Sequence, residues 1–262
     1  MDPENSQWKA PPLPEEIKAD KEQPQMSEAA TLGGIFYEPG NTFEDLRRKP
    51  RFLLAGLIMI VAVTAFNAIF IQKIGFEKLV RERMESNESF RQMPSEQRDK
   101  IIAQQSGTVA KVISYAAAPI VFVIIFLIGG LIYWLGANAM GGTAGFLQGL
   151  SVWVYSSLPP TVLFVLANLL VLMLKSVDEI DLATAQSGLV QANPAMFING
   201  KEMPALAAAL SAFDLFAIWG WVLAAIGLQK VAKLSSGAAW GVVLVLGLIG
   251  VTVKVVWALA FG

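Results

Sequence analysis

The sequence contains neither cysteine nor histidine. Without cysteine there is no disulfide, no thiolate nucleophile and no zinc finger. Without histidine, every mechanism that needs an imidazole base is excluded. Charge is scarce as well. Asp, Glu, Lys and Arg make up 16% of the 262 residues, against about 25% in ordinary soluble domains. The 20 basic and 21 acidic residues nearly cancel, so no excess of one sign draws the chain to nucleic acid. There is no phosphate-binding P-loop, no dinucleotide glycine fingerprint, no G-x-S-x-G elbow and no H-E-x-x-H pair; each places a nucleophile, metal or phosphate by a fixed spacing. No catalytic residue, metal ligand or cofactor is therefore expected, and the chain reads as a non-enzyme.

What the sequence does have is long apolar runs. Between Lys111 and Lys175, 63 residues pass without an Asp, Glu, Lys or Arg. A single helix of that length would reach about 95 Å, some three times the hydrocarbon core of a bilayer. It must fold back, and the small-residue stretch 136–145 is the place for the turn. Two spans result, about 112–135 and 146–174. Three further runs, about 52–71, 206–228 and 234–259, are nearly free of charge, with Asp214 and Lys254 as the exceptions. The runs do not alternate polar and apolar residues as a barrel would. The expected fold is therefore all-α: a polytopic membrane bundle of five transmembrane helices, with amphipathic helices at the interface.

The ends of the spans carry the polar chemistry. Residues 1–30 hold Pro3, Pro11, Pro12, Pro14 and Pro24 among many Glu and Lys, the composition of a disordered tail. They lack the pattern of a cleaved signal. Pro39-Gly40 reads as a turn, with Asn41 or Thr42 capping a short helix that has Glu44 and Asp45 early and Arg47, Arg48 and Lys49 late, an order that suits the helix dipole. This helix is expected on the membrane surface, its basic end against headgroups. In the first loop, Phe76, Leu79, Val80, Arg83 and Met84 mark an amphipathic helix, and Pro94-Ser95-Glu96 a fresh helix, capped by Ser95, that runs on into the second span. Pro204 is expected to open a helix leading into the fourth span. Basic residues on the two sides nearly balance, but Arg47, Arg48, Lys49 and Arg51 abut the first span, which usually dominates, so the N-terminus is placed in the cytoplasm.

Six polar or helix-breaking residues stand out within the spans. Asp214 is an acid near the membrane core, read either as an ion-handling group or, by preference, as a cap of the fourth span. Lys254 is read as snorkelling to the interface rather than pairing with Asp214. Asn168, like Asn67, is expected to make interhelical hydrogen bonds. Tyr155 begins a Tyr155-Ser156-Ser157-Leu158-Pro159-Pro160 segment whose two prolines remove backbone donors and predict a kink or break in the third span. Ala137, Gly141, Gly145 and Gly149 recur every four residues, as do Gly237 and Gly241; this spacing permits close helix approach, within the chain or in a homo-oligomer.

Three stretches resemble the Yip family of Ypt/Rab-interacting integral membrane proteins, in its prokaryotic-type branch. They are Ile35 to Leu46 running into Lys49-Pro50, the small-residue turn followed by Tyr155 and Pro159-Pro160, and Phe213 to Gly220 with Ala225 to Leu228. The likeness covers residues 31–262. It implies five spans with a cytosolic N-terminus. Eukaryotic relatives are implicated in vesicle trafficking, Rab binding and membrane shaping. The Asp-Leu-Tyr-Gly-Pro motif of that branch is absent before the first span, so Rab binding is not carried over. The expected partners are the bilayer, a protein docking on the N-terminal tail or the surface helix, and a second copy of the chain. The expected role is membrane organisation or partner recruitment in a bacterial cytoplasmic membrane. The competing role is a small transporter, channel or lipid-moving protein that uses Asp214 and the Pro159-Pro160 break.

Overall fold

The computed structural model describes residues 23–85, 87–182, 188–200 and 202–261. All the regular elements among them are helical. Two short helices, α1 (Glu28–Tyr37) and α2 (Pro39–Arg48), precede the first long helix, α3 (Leu53–Ile74). Gly75, with φ at +93°, ends α3. Three short helices follow, α4 (Phe76–Glu85), α5 (Glu88–Arg91) and α6 (Ser95–Gln105). Then come α7 (Thr108–Ala139), α8 (Phe146–Leu174), α9 (Pro204–Leu210), α10 (Leu215–Val231) and α11 (Ser236–Phe261).

Four helices, α3, α7, α8 and α11, are long and apolar enough to cross a membrane, and α9 with α10, bent by 45° at the break between them, meets the same test when the pair is taken as one span. Their apolar residues sit all round the helix, so lipid replaces water on the outward faces. Leu53, Leu131, Leu166 and Leu248 are each exposed, the surface expected of a bundle whose solvent is hydrocarbon.

The centre of the bundle is α8. It packs most closely on α7, where Gly130 approaches so near that an added Cβ would lie 2.8 Å from the Leu150 Cα, and Gly149 so near that one would lie 2.8 Å from the Gly130 carbonyl. Of the small residues recurring every four, Ala137 and Gly149 are buried inside the chain. At one end of the bundle the α7–α8 turn meets the α10–α11 turn, with the Thr143 amide donating to the Ala232 carbonyl at 3.2 Å. At the other end the Lys73 ammonium donates to the carbonyls of Leu172 and Lys175, a cation at the C-terminus of α8 as the helix dipole favours.

Several expectations change. The N-terminal boundary moves: residues 1–22 of the expected tail lie outside the described residues, but Ser27 caps α1 and residues 28–30 are helical. Helix α2 starts at Pro39, with Glu38 rather than Asn41 or Thr42 before it. Proline suits that first position because its missing N–H would have had no partner there. The apolar face of α2 meets protein, not lipid: Phe43 and Leu46 are fully buried. Helix α6 does not run into the second span, since Ser106 and Gly107 separate it from α7, and Ser95 makes no side-chain cap. Of the kink or break expected in the third span, the break is not there: α8 is one helix from Phe146 to Leu174 with both prolines inside it. The break lies instead in the fourth span, at residues 211–214.

Candidate functional site

The break in the fourth span is built around Asp214. Its side chain accepts hydrogen bonds from the amides of Phe216 at 2.9 Å and Ala217 at 3.4 Å, capping α10. A carboxylate there answers both the unpaired N–H groups and the positive end of the helix dipole. The second carboxylate oxygen accepts from the Asn193 side-chain NH2 at 3.3 Å. Asp214 is half-buried. The Leu215 amide, which an unbroken helix would have kept for itself, donates to the Ala192 carbonyl at 3.1 Å.

Residues 188–193 form a strap that leads from the α8–α9 connection into this gap. Asn168, fully buried on α8, holds its other end. The Asn168 side-chain oxygen accepts from the amides of Leu189 and Val190, the latter at 3.1 Å, while its NH2 donates to the Phe164 carbonyl at 2.7 Å. Non-helical backbone packed between apolar helices needs such partners, because their side chains offer none. Gly188 makes the approach with φ at +112°, and a Cβ there would fall 2.5 Å from the Phe164 ring. Phe164 in turn meets Phe216 edge-on with centroids 5.5 Å apart. Asn168 and Asp214, far apart in sequence, are therefore the two anchors of one polar strap. Asn168 bonds to a loop and to its own helix rather than across to another helix.

The other sequence candidates fall elsewhere. Tyr155, 1% exposed, shares a hydrogen bond of 3.0 Å with the Thr31 hydroxyl and so ties α1 to α8. Pro159 and Pro160 are buried between these two regions. Pro160 cannot bond the Ser156 carbonyl, and that carbonyl faces Gly220 of α10, where an added Cβ would sit 3.6 Å from it and 3.6 Å from the Pro160 ring. Lys254 is exposed near the end of α11 and makes no ion pair among the described residues. Outside the spans, Glu179 closes a capping box with Ser176, and those hydrogen bonds hold its carboxyl below the usual carboxylate range.

Sequence reasoning missed Asp45. It reads as a first-turn acid on an exposed helix, yet it is 1% exposed and gathers the N-terminal segment. Its Oδ1 accepts from the amides of Gln25 and Met26, the latter at 3.0 Å. Its Oδ2 lies 3.1 Å from the Arg51 guanidinium. That contact is a charge pair rather than an aligned hydrogen bond, since neither atom completes hydrogen-bond geometry. The only sequence signal is position, three residues after Thr42 on the face that also carries Phe43 and Leu46. Phe43 fills the space left by Gly227 of α10, where a Cβ would fall 2.9 Å from the ring.

The arrangement is that of a multi-pass helical membrane protein whose N-terminal helix pair is seated on the bundle and whose fourth span is broken and strapped. The chain belongs to the Yip1 domain family, whose pattern matches residues 33–258. It is 28% identical over 228 residues to the membrane protein YknW of Bacillus subtilis (strain 168), covering 86% of this chain and 88% of that one. No solved structure matches.

Proposed function

We propose that the chain is a non-enzymatic membrane organiser that recruits a protein partner through its N-terminal tail and the α1–α2 pair. It would lie in a bacterial cytoplasmic membrane with the N-terminus in the cytoplasm. One observation carries this reading: Asp214, Asn168 and Tyr155, polar groups that a transport path could use, are engaged in structural hydrogen bonds. Asp214 caps α10, Asn168 holds the strap and Tyr155 holds α1. By contrast, the described segment next to the tail is fixed to the bundle, since Asp45 binds the amides of Gln25 and Met26. The membrane relative in Bacillus subtilis supports the bacterial setting. The basic residues beside the first span support the orientation.

The test is affinity capture from native membranes in mild detergent, comparing the full chain with one lacking residues 1–22. This cut spares the Asp45 contacts and the Ser27 cap. A defined partner lost with the tail is the expected result. Self-association alone would overturn the reading. So would ion or solute flux in liposomes that Asp214→Asn abolishes, which would establish the transport alternative instead.

A further inference from the structure

We propose that helix α1 lies within the bilayer leaflet next to the α7–α8 and α10–α11 turns, with its outer face against lipid acyl chains. This does not rest on the recruiting role. Lys230 is exposed near the end of α10, and no other charged residue lies between it and Leu215, so it marks the level of water at that end. Trp219 stands eleven residues below Lys230 on the same helix, a descent of about 16 Å and so about half of the hydrocarbon core. Phe36 of α1 meets the Trp219 ring edge-on, with centroids 6.4 Å apart. On α8, Tyr155 stands seven residues below Gln148, a descent of about 10 Å, and it is the residue that bonds Thr31 of α1. Helix α1 therefore hangs beside the spans, below their ends. Helix α2 crosses higher: Phe43 fills the space at Gly227, three residues from Lys230, and the Gln148 side chain donates to the Arg47 carbonyl at 2.7 Å.

The chemistry of α1 fits that depth. From Ala29 to Tyr37 it carries no charge. Its outer face is made by Ala29, Leu32, Gly33, Phe36 and Tyr37, with Phe36 and Tyr37 exposed. Tyr37 is the one hydrogen-bonding side chain on that face, and a ring with a polar tip suits a membrane boundary. In water the face would be an apolar patch with nothing over it. The other polar side chain of this stretch, Thr31, is fully buried and used twice: its hydroxyl donates to the Glu28 carbonyl at 2.8 Å and shares the bond to Tyr155. A helix in hydrocarbon must also satisfy its ends. The Ser27 hydroxyl accepts from the Ala30 amide at 3.1 Å, and the Glu38 amide donates to the Gly34 carbonyl at 2.7 Å. The amides of Gln25 and Met26, on the way down, go to the buried Asp45 carboxylate, with Arg51 beside it. That carboxylate supplies the descending chain with the acceptor that water supplies at the surface.

The absence of cysteine provides the test. Gly33→Cys and Tyr37→Cys each place one nitroxide label on the outer face of α1. The full chain is reconstituted in vesicles of phosphatidylethanolamine and phosphatidylglycerol. Power-saturation electron paramagnetic resonance then reads collisions with oxygen, which dissolves in hydrocarbon, and with a nickel chelate, which does not. Leu166→Cys, on the exposed side of α8, is the hydrocarbon reference, and Lys49→Cys, exposed beyond the end of α2, is the water reference. The oxygen-to-nickel ratio at positions 33 and 37 should be about tenfold above that of Lys49→Cys and close to that of Leu166→Cys, because a polar chelate is excluded from an apolar medium. A ratio like that of Lys49→Cys places α1 in water and overturns the inference. Low collision with both reagents means that protein covers the face, from a second copy or a partner, and overturns it as well. A Cβ at Gly33 meets the Tyr37 ring at ordinary contact distance. If Gly33→Cys still fails to fold by circular dichroism, Tyr37→Cys decides alone, at a residue that is 74% exposed.

Discussion

The third and fourth spans answer the same question in opposite ways. Helix α8 carries two adjacent prolines and stays whole. The fourth span has no proline after Pro204, yet it parts at residues 211–214 and turns by 45°. Proline removes one donor and crowds one carbonyl per residue. Around Pro159 and Pro160 the neighbours absorb that cost: both rings are buried, and Gly220 leaves room beside the freed Ser156 carbonyl. At the fourth span the chain offers the backbone something better than continuing. Asp214 takes two amides of the next helix, Asn193 binds the same carboxylate, and the strap supplies the Ala192 carbonyl. A helix in a membrane is broken where alternative partners exist, not simply where a donor is missing.

If that comparison holds, removing the strap's anchor should have the largest effect. Asn168→Leu keeps the side chain's size but takes away the acceptor for two partly buried amides, those of Leu189 and Val190. Two orphaned donors cost about 3 kcal/mol together. Thermal unfolding in detergent should show the loss, and limited proteolysis should open residues 188–200 first. Unchanged stability would mean that the strap is incidental to the break.

A smaller loss is expected at the cap. Asp214→Ala should cost about 1 kcal/mol, the usual value of an N-cap. Asp214→Asn should cost only a few tenths, since an amide oxygen can still accept from the helix amides. The two variants separate capping from charge in the same unfolding assay. Equal losses would show that the carboxylate's charge, and not its hydrogen bonds, holds the break open.

These two spans also show what a sequence discloses in a membrane. Five apolar runs were legible because bilayer thickness fixes their length. The turn at 136–145 was legible because small residues and an unbroken uncharged run leave no other place for it. Asp214 as a cap was legible as the favoured reading of a lone acid next to an apolar run. Asn168 as the anchor of a loop was not, because its partners are main-chain amides some twenty residues away, which carry no side-chain signature. Gly188 had no sign either, because neither its φ of +112° nor the Phe164 ring that would meet a Cβ there shows in the local sequence. Asp45 was hidden for the same reason: the amides of Gln25 and Met26 look the same in sequence whether they meet water or a buried carboxylate.

The smallest effect is expected at Pro160, where the sequence predicts a kink or break. Pro160→Ala restores an N–H that can reach the Ser156 carbonyl, and alanine is the better helix former by about 3 kcal/mol in an exposed helix. Against this, the ring that packs beside Gly220 is lost, and a small void opens between α8 and α10. The two terms oppose each other, so the net change in unfolding should stay within about 1 kcal/mol. Gly220→Ala in the same background is the sharper probe. Its new methyl meets the Pro160 ring and the Ser156 carbonyl at ordinary contact distance in the natural chain. In the Pro160→Ala chain it can settle into the vacated space. A double variant more stable than the sum of its parts would show that α10 accommodates the prolines of α8. Strict additivity would show that α8 tolerates them unaided.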